Sequence, residues 1–414
     1  MNEKQIEREV YNFLNGVSEN SRIYFVGNTL KNPLEYKANE EIIFKVRAKT
    51  EEQFVDVPFI KCIVEGDSLP RSESILTANE DGWFYVSTSL NHEGAIHVIA
   101  QALDENKQPI DRIDKFEGGA IVDADKIELS TEIPDDYLEF WDWLKKETES
   151  VAPEVIYERE IDVPEHPDFE FRDMRIKVTD EEYASCRVSW PKNATEKSLN
   201  LRLYYRGYGV DAIRDTPTYE NTLTVITSPH SIPNDMTPEW YQNERTTTFL
   251  RFGFNEEENA DPKTTYWAKM LRRDYQSYRY FSQHPFVSGK EIHIEGGSMG
   301  AMQTCCIAAH CANPTRVHIS FPWMCDLGGG AISGRLEGWR PKYLHGMKYF
   351  DTAVAASFIK CPMSVAAGLG DFVCPPSGQV ALYKCIKNLT SMKFIQRRTH
   401  SYHPPEAEVF ELKL

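Results

Sequence analysis

The segment of residues 290–310 constrains the fold of this 414-residue chain more than any other. A short β-prone run at 292–294 leads into Gly296-Gly297-Ser298-Met299-Gly300, and a small, apolar stretch follows at 301–309. Glycines two positions before and after Ser298 leave room for a strained backbone turn. The N-terminus of a helix behind the turn favours developing negative charge. The pattern predicts a strand, a sharp turn with Ser298 at its apex, and a buried helix.

A serine between a strand and a helix in G-x-S-x-G is the nucleophile elbow of the α/β-hydrolases. Further segments alternate in the same way, with predicted strands at 199–205, 222–227, 316–321, 361–369 and 392–397 and a helix at 266–283. Alternation of this kind is typical of a sheet wound with helices. We therefore predict an α/β-hydrolase catalytic domain with a doubly wound sheet over residues 131–414.

The first 130 residues have a different pattern. After a short helix predicted for residues 1–18, β-prone runs such as 42–46, 59–64 and 95–100 are separated by turn signals. Such spacing is typical of an immunoglobulin-like β-sandwich. We predict that this N-terminal domain spans 1–130 and ends just before a helix that begins at Pro134-Asp135. A packing or assembly role and a carbohydrate-binding role both remain open for it.

The charge and the cysteines narrow the class of protein. A net charge of −17 disfavours nucleic acid or an anionic membrane as a partner. The sequence contains no run of about 18 apolar residues, so no membrane span is predicted. Its first residues lack the apolar core of a signal peptide. We expect a cytoplasmic location, or a secreted or periplasmic one if a signal peptide has been removed. The nine cysteines form no C-x-x-C pair and are predicted to be reduced core residues.

Three residue types of a catalytic triad occur in the order Ser298, Asp371, His400. Asp371 follows the predicted strand at 361–369, and His400 follows the one at 392–397. A serine hydroxyl needs an imidazole to take its proton, and the imidazole needs a carboxylate that fixes its tautomer. Asp326 and Asp351 are competing candidates for the acid, and His403 for the base.

A tetrahedral oxyanion requires backbone N–H donors. The residue after the nucleophile, Met299, supplies the first. The second is expected from Tyr208 in Arg206-Gly207-Tyr208-Gly209, because this loop follows the predicted strand at 199–205. The alternative for the Gly-Tyr-Gly segment is a simple turn with an aromatic lid. With Trp323 at a neighbouring strand end, these residues predict a small acyl pocket.

Several segments resemble the acetyl xylan esterase / cephalosporin C deacetylase family, carbohydrate esterase family 7. They are DDYLEFWDWLKKE at 135–147, YYRGYGVDAIRD at 204–215, EGGSMGA at 295–301, FPWMCDL at 321–327, GLGDFVCPPS at 368–377 and the final Thr399-His400. The resemblance covers roughly residues 132–414. It implies Ser298 as nucleophile, Asp371 as acid, His400 as base, and Tyr208 and Met299 as oxyanion donors.

The chain departs from the family at three places. Methionine 299 replaces the usual glutamine, Thr399-His400-Ser401 replaces the usual Gly-His-Glu, and single-domain members lack a counterpart of residues 1–130. A backbone donor survives the first change.

The resemblance implies a serine carboxylesterase that removes acetyl groups from acetylated sugars or xylan-derived oligosaccharides through an acyl-enzyme intermediate. It implies a small acetylated carbohydrate as partner and neither a metal nor another cofactor, and it leaves a homo-oligomer open. One alternative is a serine peptidase of the prolyl-oligopeptidase type, although a sandwich of about 110 residues is too small for the propeller of that type. Another is a polysaccharide-binding protein with an inactive hydrolase domain.

Overall fold

A computed structural model describes residues 21–414, so the helix predicted for residues 1–18 lies outside the described residues. None of the helices in the described range combines the length and the apolar character that crossing a membrane requires. Six of the nine cysteines are buried, in agreement with their predicted place in the core.

The N-terminal region consists of two mainly antiparallel sheets packed around one apolar core. Its strands are β1 (Ile23–Thr29), β2 (Ile42–Lys49), β3 (Phe54–Val55), β4 (Phe59–Gly66), β5 (Leu69–Thr77), β6 (Phe84–Thr88), β7 (Gly94–Leu103), β8 (Ile113–Asp114) and β9 (Phe116–Val122). In β2 and β4 buried side chains alternate with partly buried ones, as in strands covered on one face. One sheet has the order β3-β2-β1-β8 with β6 also on β2, and the other has the order β5-β4-β7-β9. The immunoglobulin-like type and the boundary near residue 130 stay predictions.

The rest of the chain forms a ten-stranded sheet of order β10-β11-β12-β14-β13-β15-β16-β17-β18-β19. Its strands are β10 (Val155–Glu160), β11 (Phe169–Lys177), β12 (Tyr183–Pro191), β13 (Leu199–Tyr205), β14 (Thr222–Thr227), β15 (Val287–Gly297), β16 (Arg316–Ser320), β17 (Met363–Gly368), β18 (Leu389–Ile395) and β19 (Val409–Glu411). From β14 to β18 neighbouring strands are parallel. Their carboxyl ends therefore share one edge of the sheet, where ligand sites of such sheets lie.

Seven α-helices lie in the described range: α1 (Tyr137–Glu149), α2 (Pro238–Thr246), α3 (Tyr266–Ser282), α4 (Met299–His310), α5 (Gly329–Ser333), α6 (Thr352–Ala356) and α7 (Pro376–Cys385). Helix α4 packs on β15, α6 packs on α4 and α7, and α1 packs on α3. The Tyr205 hydroxyl donates to the backbone carbonyl oxygen of Asp274 in α3, which places α3 on the Tyr205 face of the sheet.

Two predicted elements differ in detail. Helix α1 begins at Tyr137 rather than at Pro134-Asp135, because the N–H of Tyr137 closes a turn onto the carbonyl of Pro134, 3.0 Å away. The strand predicted for residues 392–397 is β18, which lies at Leu389–Ile395 instead and is followed by β19, which pairs with it in the antiparallel direction. Local patterns do not reveal β19, because three residues carry no usable periodicity.

Candidate active site

The turn at Ser298 has the strained backbone that the sequence predicts. Strand β15 ends at Gly297, α4 begins at Met299, and Ser298 between them has φ 57° and ψ −124°. A Cβ on Gly300 would lie 2.0 Å from the carbonyl oxygen of Tyr205, and one on Gly296 would lie 2.2 Å from that of Gly300. Only glycine fits at either position, so the two residues allow the tight turn.

Backbone hydrogen bonds hold the turn against the next strand. The N–H of Ser298 donates to the carbonyl of Ser320 at 2.9 Å, and the N–H of Trp323 donates to the carbonyl of Ser298 at 3.3 Å. The Ser298 side chain is half-buried and makes no capping hydrogen bond to α4. Its hydroxyl is therefore not committed to the fold.

Asp371 and His400 meet at the same edge of the sheet. Nδ1 of His400 lies 2.9 Å from Oδ2 of Asp371. The other oxygen, Oδ1, accepts the N–H groups of Val373 at 3.1 Å and Cys374 at 3.0 Å. Asp371 is fully buried, whereas the side chain of His400 is 28% exposed. Because the Asp371 carboxylate is buried and hydrogen-bonded, it fixes the imidazole of His400 with Nε2 facing away from the carboxylate.

The loop that carries His400 is closed by its own bonds. The N–H of Tyr402 donates to the Thr399 hydroxyl at 3.0 Å, and the Arg398 guanidinium donates to the carbonyl of Tyr402 at 2.6 Å. His403, the competing base, is exposed and has no hydrogen bond to a carboxylate in residues 21–414. The geometry thus favours His400 as the base.

The competing acids are engaged elsewhere. Asp326 accepts the N–H of Ser130 at 2.7 Å and of Thr131 at 2.9 Å, and it pairs with Arg335. Asp351 caps α6 and also accepts the hydroxyl of Thr131 at 2.7 Å. Burial raises the pKa of Asp351 to about 6. No histidine of the described chain bonds to either carboxylate, so both serve to anchor the segment that joins the two regions.

Two backbone N–H groups are available to an oxyanion. A Cβ on Gly207 would lie 3.6 Å from Cβ of Ser298, so the loop after β13 lies directly over the serine. No acceptor within residues 21–414 takes the N–H of Tyr208 or of Met299. An unpaired N–H beside a nucleophile is the arrangement that an oxyanion site requires.

His230 contacts the loop that follows β13. Its Nε2 lies 3.0 Å from the carbonyl oxygen of Gly209, and its Nδ1 faces the hydroxyl of Tyr266 at 2.5 Å. Burial, with a contribution from the charge of Arg273, lowers the pKa of His230 to about 3. The imidazole is therefore neutral at physiological pH, with Nε2 as the donor to Gly209.

Aromatic rings cluster around Tyr208 in the loop that lies against Ser298. Tyr208 is stacked on Phe252 with ring centroids 3.8 Å apart, and its hydroxyl donates to the Phe252 carbonyl. Trp339 lies edge-on to Tyr208 at 4.5 Å and stacks on Trp323 at 5.7 Å. Sequence reasoning singled out Tyr208 and Trp323 but missed Phe252 and Trp339. The aromatic richness of the segments that contain them was the available signal.

The N-terminal sandwich also contacts the acid loop, which the sequence did not predict. His97 stacks on Phe372, the residue after Asp371, with centroids 3.8 Å apart. Burial opposes protonation of His97, but its bonds to Glu117 and Glu65 outweigh this and raise its pKa. The side chain of Gln396 bonds both the N–H and the carbonyl of Gly119 at 3.0 Å. The sandwich therefore contacts the segments that lead to Asp371 and His400.

The ligand atoms of Asp371, Cys374 and His400 lie within 4.8 Å of one another, a grouping that could hold a metal ion. Burial keeps the pKa of the Cys374 thiol well above its usual value, so the sulfur is protonated and a poor ligand. The imidazole and the carboxylate bond each other directly. The chemistry of this donor set fits proton transfer better than metal binding.

A serine elbow, followed two and three strands later by an acid and a histidine that bond each other, defines an α/β-hydrolase. The α/β-hydrolase part of the predicted fold is confirmed by solved structures. An acetyl xylan esterase from Paenibacillus sp. R4 superposes with a TM-score of 0.54 at 16% identity, over 68% of this chain and 94% of that one. Acetyl xylan esterase 1 from Thermoanaerobacterium sp. JW/SL YS485 does so with a TM-score of 0.54 at 17% identity, over 68% and 93%. At these identities the likeness shows the fold alone.

Sequence comparison identifies the relatives. Residues 340–413 match the family model of acetyl xylan esterase (AXE1). The acetyl esterase Axe7A of Xylanibacter ruminicola is 26% identical over 173 residues, which cover 38% of each protein. The chain thus matches well under half the length of this relative. The predicted resemblance to the acetyl xylan esterase family is confirmed.

Proposed function

We propose that the chain is a serine carboxylesterase that removes acetyl groups from acetylated sugars or xylan-derived oligosaccharides. The observation that carries this proposal is the Asp371–His400 pair, 2.9 Å apart, at the edge of the sheet where the strained turn presents the Ser298 hydroxyl. The match of residues 340–413 to the acetyl xylan esterase family supports the acetyl group as the part removed.

The proposed reaction has two halves. In the first, Oγ of Ser298 attacks the acetyl carbonyl carbon while Nε2 of His400 takes its proton. The tetrahedral oxyanion accepts the N–H groups of Met299 and Tyr208. The C–O bond to the sugar breaks, His400 returns the proton to the sugar oxygen, and acetyl-Ser298 remains. In the second half a water molecule gives a proton to His400 and attacks the acetyl carbon. The bond from the acetyl carbon to Oγ of Ser298 then breaks and His400 returns the proton to Oγ, which releases acetate and the free serine.

The carboxylate of Asp371 stabilises the imidazolium of His400. The N–H groups of Val373 and Cys374 bond its second oxygen and fix the orientation of the carboxylate. The aromatic cluster of Tyr208, Phe252, Trp323 and Trp339 is expected to limit the acyl group to a short one.

Three substrates test the function. The purified protein should release p-nitrophenol from p-nitrophenyl acetate and acetate from acetylated xylan, and it should leave a proline p-nitroanilide intact. Cleavage of the anilide would favour the peptidase alternative. Binding to xylan without any ester hydrolysis would favour the inactive, polysaccharide-binding alternative. A Ser298→Ala variant provides the background rate for each substrate.

A further inference from the structure

The two faces of the ten-stranded sheet differ in how completely other parts of the chain cover them. On β13 the core side chains alternate with partly exposed ones, and Tyr204 is 37% exposed. The side chains of this face pair among themselves: Arg202 with Glu295 at 2.6 Å, and His318 with the Ser364 hydroxyl at 2.9 Å. Parallel strands covered on both faces are apolar throughout. The Tyr204 face therefore presents polar groups and an aromatic ring to solvent.

A cavity of 490 Å³ lies on this face at the carboxyl ends of β13 and β14. Its walls are Tyr204, Ile226, Arg206 and the loop of residues 211–215. A second cavity of 390 Å³ shares Arg214 and Asp215 with the first and continues to His166 and Phe171. The two cavities adjoin at Arg214 and Asp215, and we name them together the 204–217 groove. Two adjoining cavities suit a chain-like ligand better than a compact one.

The groove reaches the nucleophile. Tyr204 is the partner of Glu295 in the sheet, and a Cβ on Gly297 would lie 3.5 Å from the Tyr204 hydroxyl oxygen. Gly297 directly precedes Ser298. Arg206, which also lines the first cavity, directly precedes the Gly207 that lies against Ser298. A ligand in the groove therefore ends beside the reacting serine and the oxyanion loop.

The charges of the groove select a neutral ligand. The first cavity contains two arginines and two aspartates, and Arg206 is paired with Asp211. Arg214 and Asp215 are exposed and form no ion pair in the described part of the chain. Guanidinium groups donate and carboxylates accept, so together they match hydroxyl groups, which do both. The ring of Tyr204 and the side chain of Ile226 offer apolar surface. A volume of 490 Å³ falls within the usual range of ligand sites, about 300–1,000 Å³.

We propose that the 204–217 groove binds a neutral glycan chain, namely the sugar units next to the one whose acetyl group reacts. This inference rests on the proposed function, because it assigns the groove to the alcohol part of the same substrate.

The test compares chain lengths. For the wild-type protein, kcat/KM on acetylated xylohexaose should exceed kcat/KM on an acetylated methyl xyloside by about tenfold or more, which is the effect of about 1.4 kcal/mol of added binding. In the double variant Arg214→Ala/Asp215→Ala this ratio should fall at least fivefold. Both residues lie in an exposed loop, so the fold should be retained, and circular dichroism checks this. Calorimetric titration with unacetylated xylohexaose should show binding to the wild type and at least fivefold weaker binding to the variant.

The matched control is Arg71→Ala/Glu73→Ala, which removes an exposed arginine and a carboxylate 3.0 Å apart on β5 of the sandwich. It should leave the ratio unchanged. Equal ratios in the wild type and the groove variant would overturn the proposal, and so would preferential binding of an acidic oligogalacturonate over xylohexaose. If neither acetyl ester is hydrolysed, the proposed function is wrong. Loss of xylohexaose binding in the groove variant would then still support the groove as a glycan-binding site, and unchanged binding would refute it.

Discussion

Because the backbone of Ser298 is strained, we predict that the Ser298→Gly variant is more stable to unfolding than the Ser298→Ala variant. Glycine adopts a positive φ without steric strain because it has no Cβ. Alanine has a Cβ and is therefore strained at this φ as serine is. Both substitutions remove the same hydroxyl, and that hydroxyl makes no capping bond to the fold. The difference in stability between Ser298→Gly and Ser298→Ala therefore reports the backbone strain less the extra chain entropy that glycine loses on folding.

The magnitude follows from the dihedral angles. A non-glycine residue at φ 57° and ψ −124° stores about 1–3 kcal/mol. Glycine loses about 0.5–1 kcal/mol more chain entropy on folding than alanine. The net expectation is that Ser298→Gly is more stable than Ser298→Ala by about 1 kcal/mol. For a chain of this size the difference in Tm is about 2 °C.

Ser357 provides the matched control, because its backbone is right-handed at φ −65° and ψ −18°. There Ser357→Gly should be less stable than Ser357→Ala by about 0.5–1 kcal/mol. Thermal unfolding followed by circular dichroism at one scan rate compares the four variants. If Ser298→Gly is less stable than Ser298→Ala by the same margin as at 357, the turn is not strained and the elbow geometry is wrong.

The other predictions concern the base, the acyl pocket and the oxyanion loop. His400→Ala should remove nearly all activity on one acetyl ester, whereas His403→Ala should keep kcat/KM within about tenfold; the reverse result would make His403 the base. Because Trp323 and its aromatic neighbours narrow the pocket, kcat/KM should fall steeply from acetyl to butyryl p-nitrophenyl esters, and equal rates for octanoyl esters would indicate a lipase-like cleft instead. Since the pKa of His230 is lowered to about 3 from 6.5, the unfolded chain takes up a proton below pH 6.5 that the folded chain does not. The free energy of unfolding should therefore fall by about 2 kcal/mol from this source between pH 7 and pH 5, and urea unfolding of His230→Gln should show a smaller fall; an equal fall would mean that His230 is not buried and neutral.

The central part of the fold could be predicted because its signals are local. Glycines around Ser298, a β-prone run before it and an apolar stretch after it leave few alternatives to an elbow. Asp371 and His400 could be placed because each follows a strand, and the ends of parallel strands share an edge. Their hydrogen bond is the observation that the sequence could not supply.

The remaining features depend on contacts between distant segments. Nothing near His97 in the sequence indicates that its ring stacks on Phe372, since 275 residues separate them. Asp326 and Asp351 resemble triad acids in the sequence, because each lies near a strand end or a turn, and only the packing of Thr131 between them shows their anchoring role. The exposure of the Tyr204 face of the sheet likewise depends on which helices pack against the sheet. A strand pattern cannot distinguish solvent from a polar neighbour.

The most direct measurement of the central claim is the identity of the residue that becomes acylated. The protein is treated with an acetyl-mimicking p-nitrophenyl phosphonate, digested and analysed by mass spectrometry. The triad assignment predicts one phosphonyl group per chain on the peptide that contains Ser298, no labelling of Ser298→Ala, and much slower labelling of His400→Ala. Loss of the serine should also lower kcat/KM on p-nitrophenyl acetate by roughly 10⁴ or more. A label on another residue, or unchanged labelling and activity in Ser298→Ala, would contradict the assignment of Ser298 as the nucleophile.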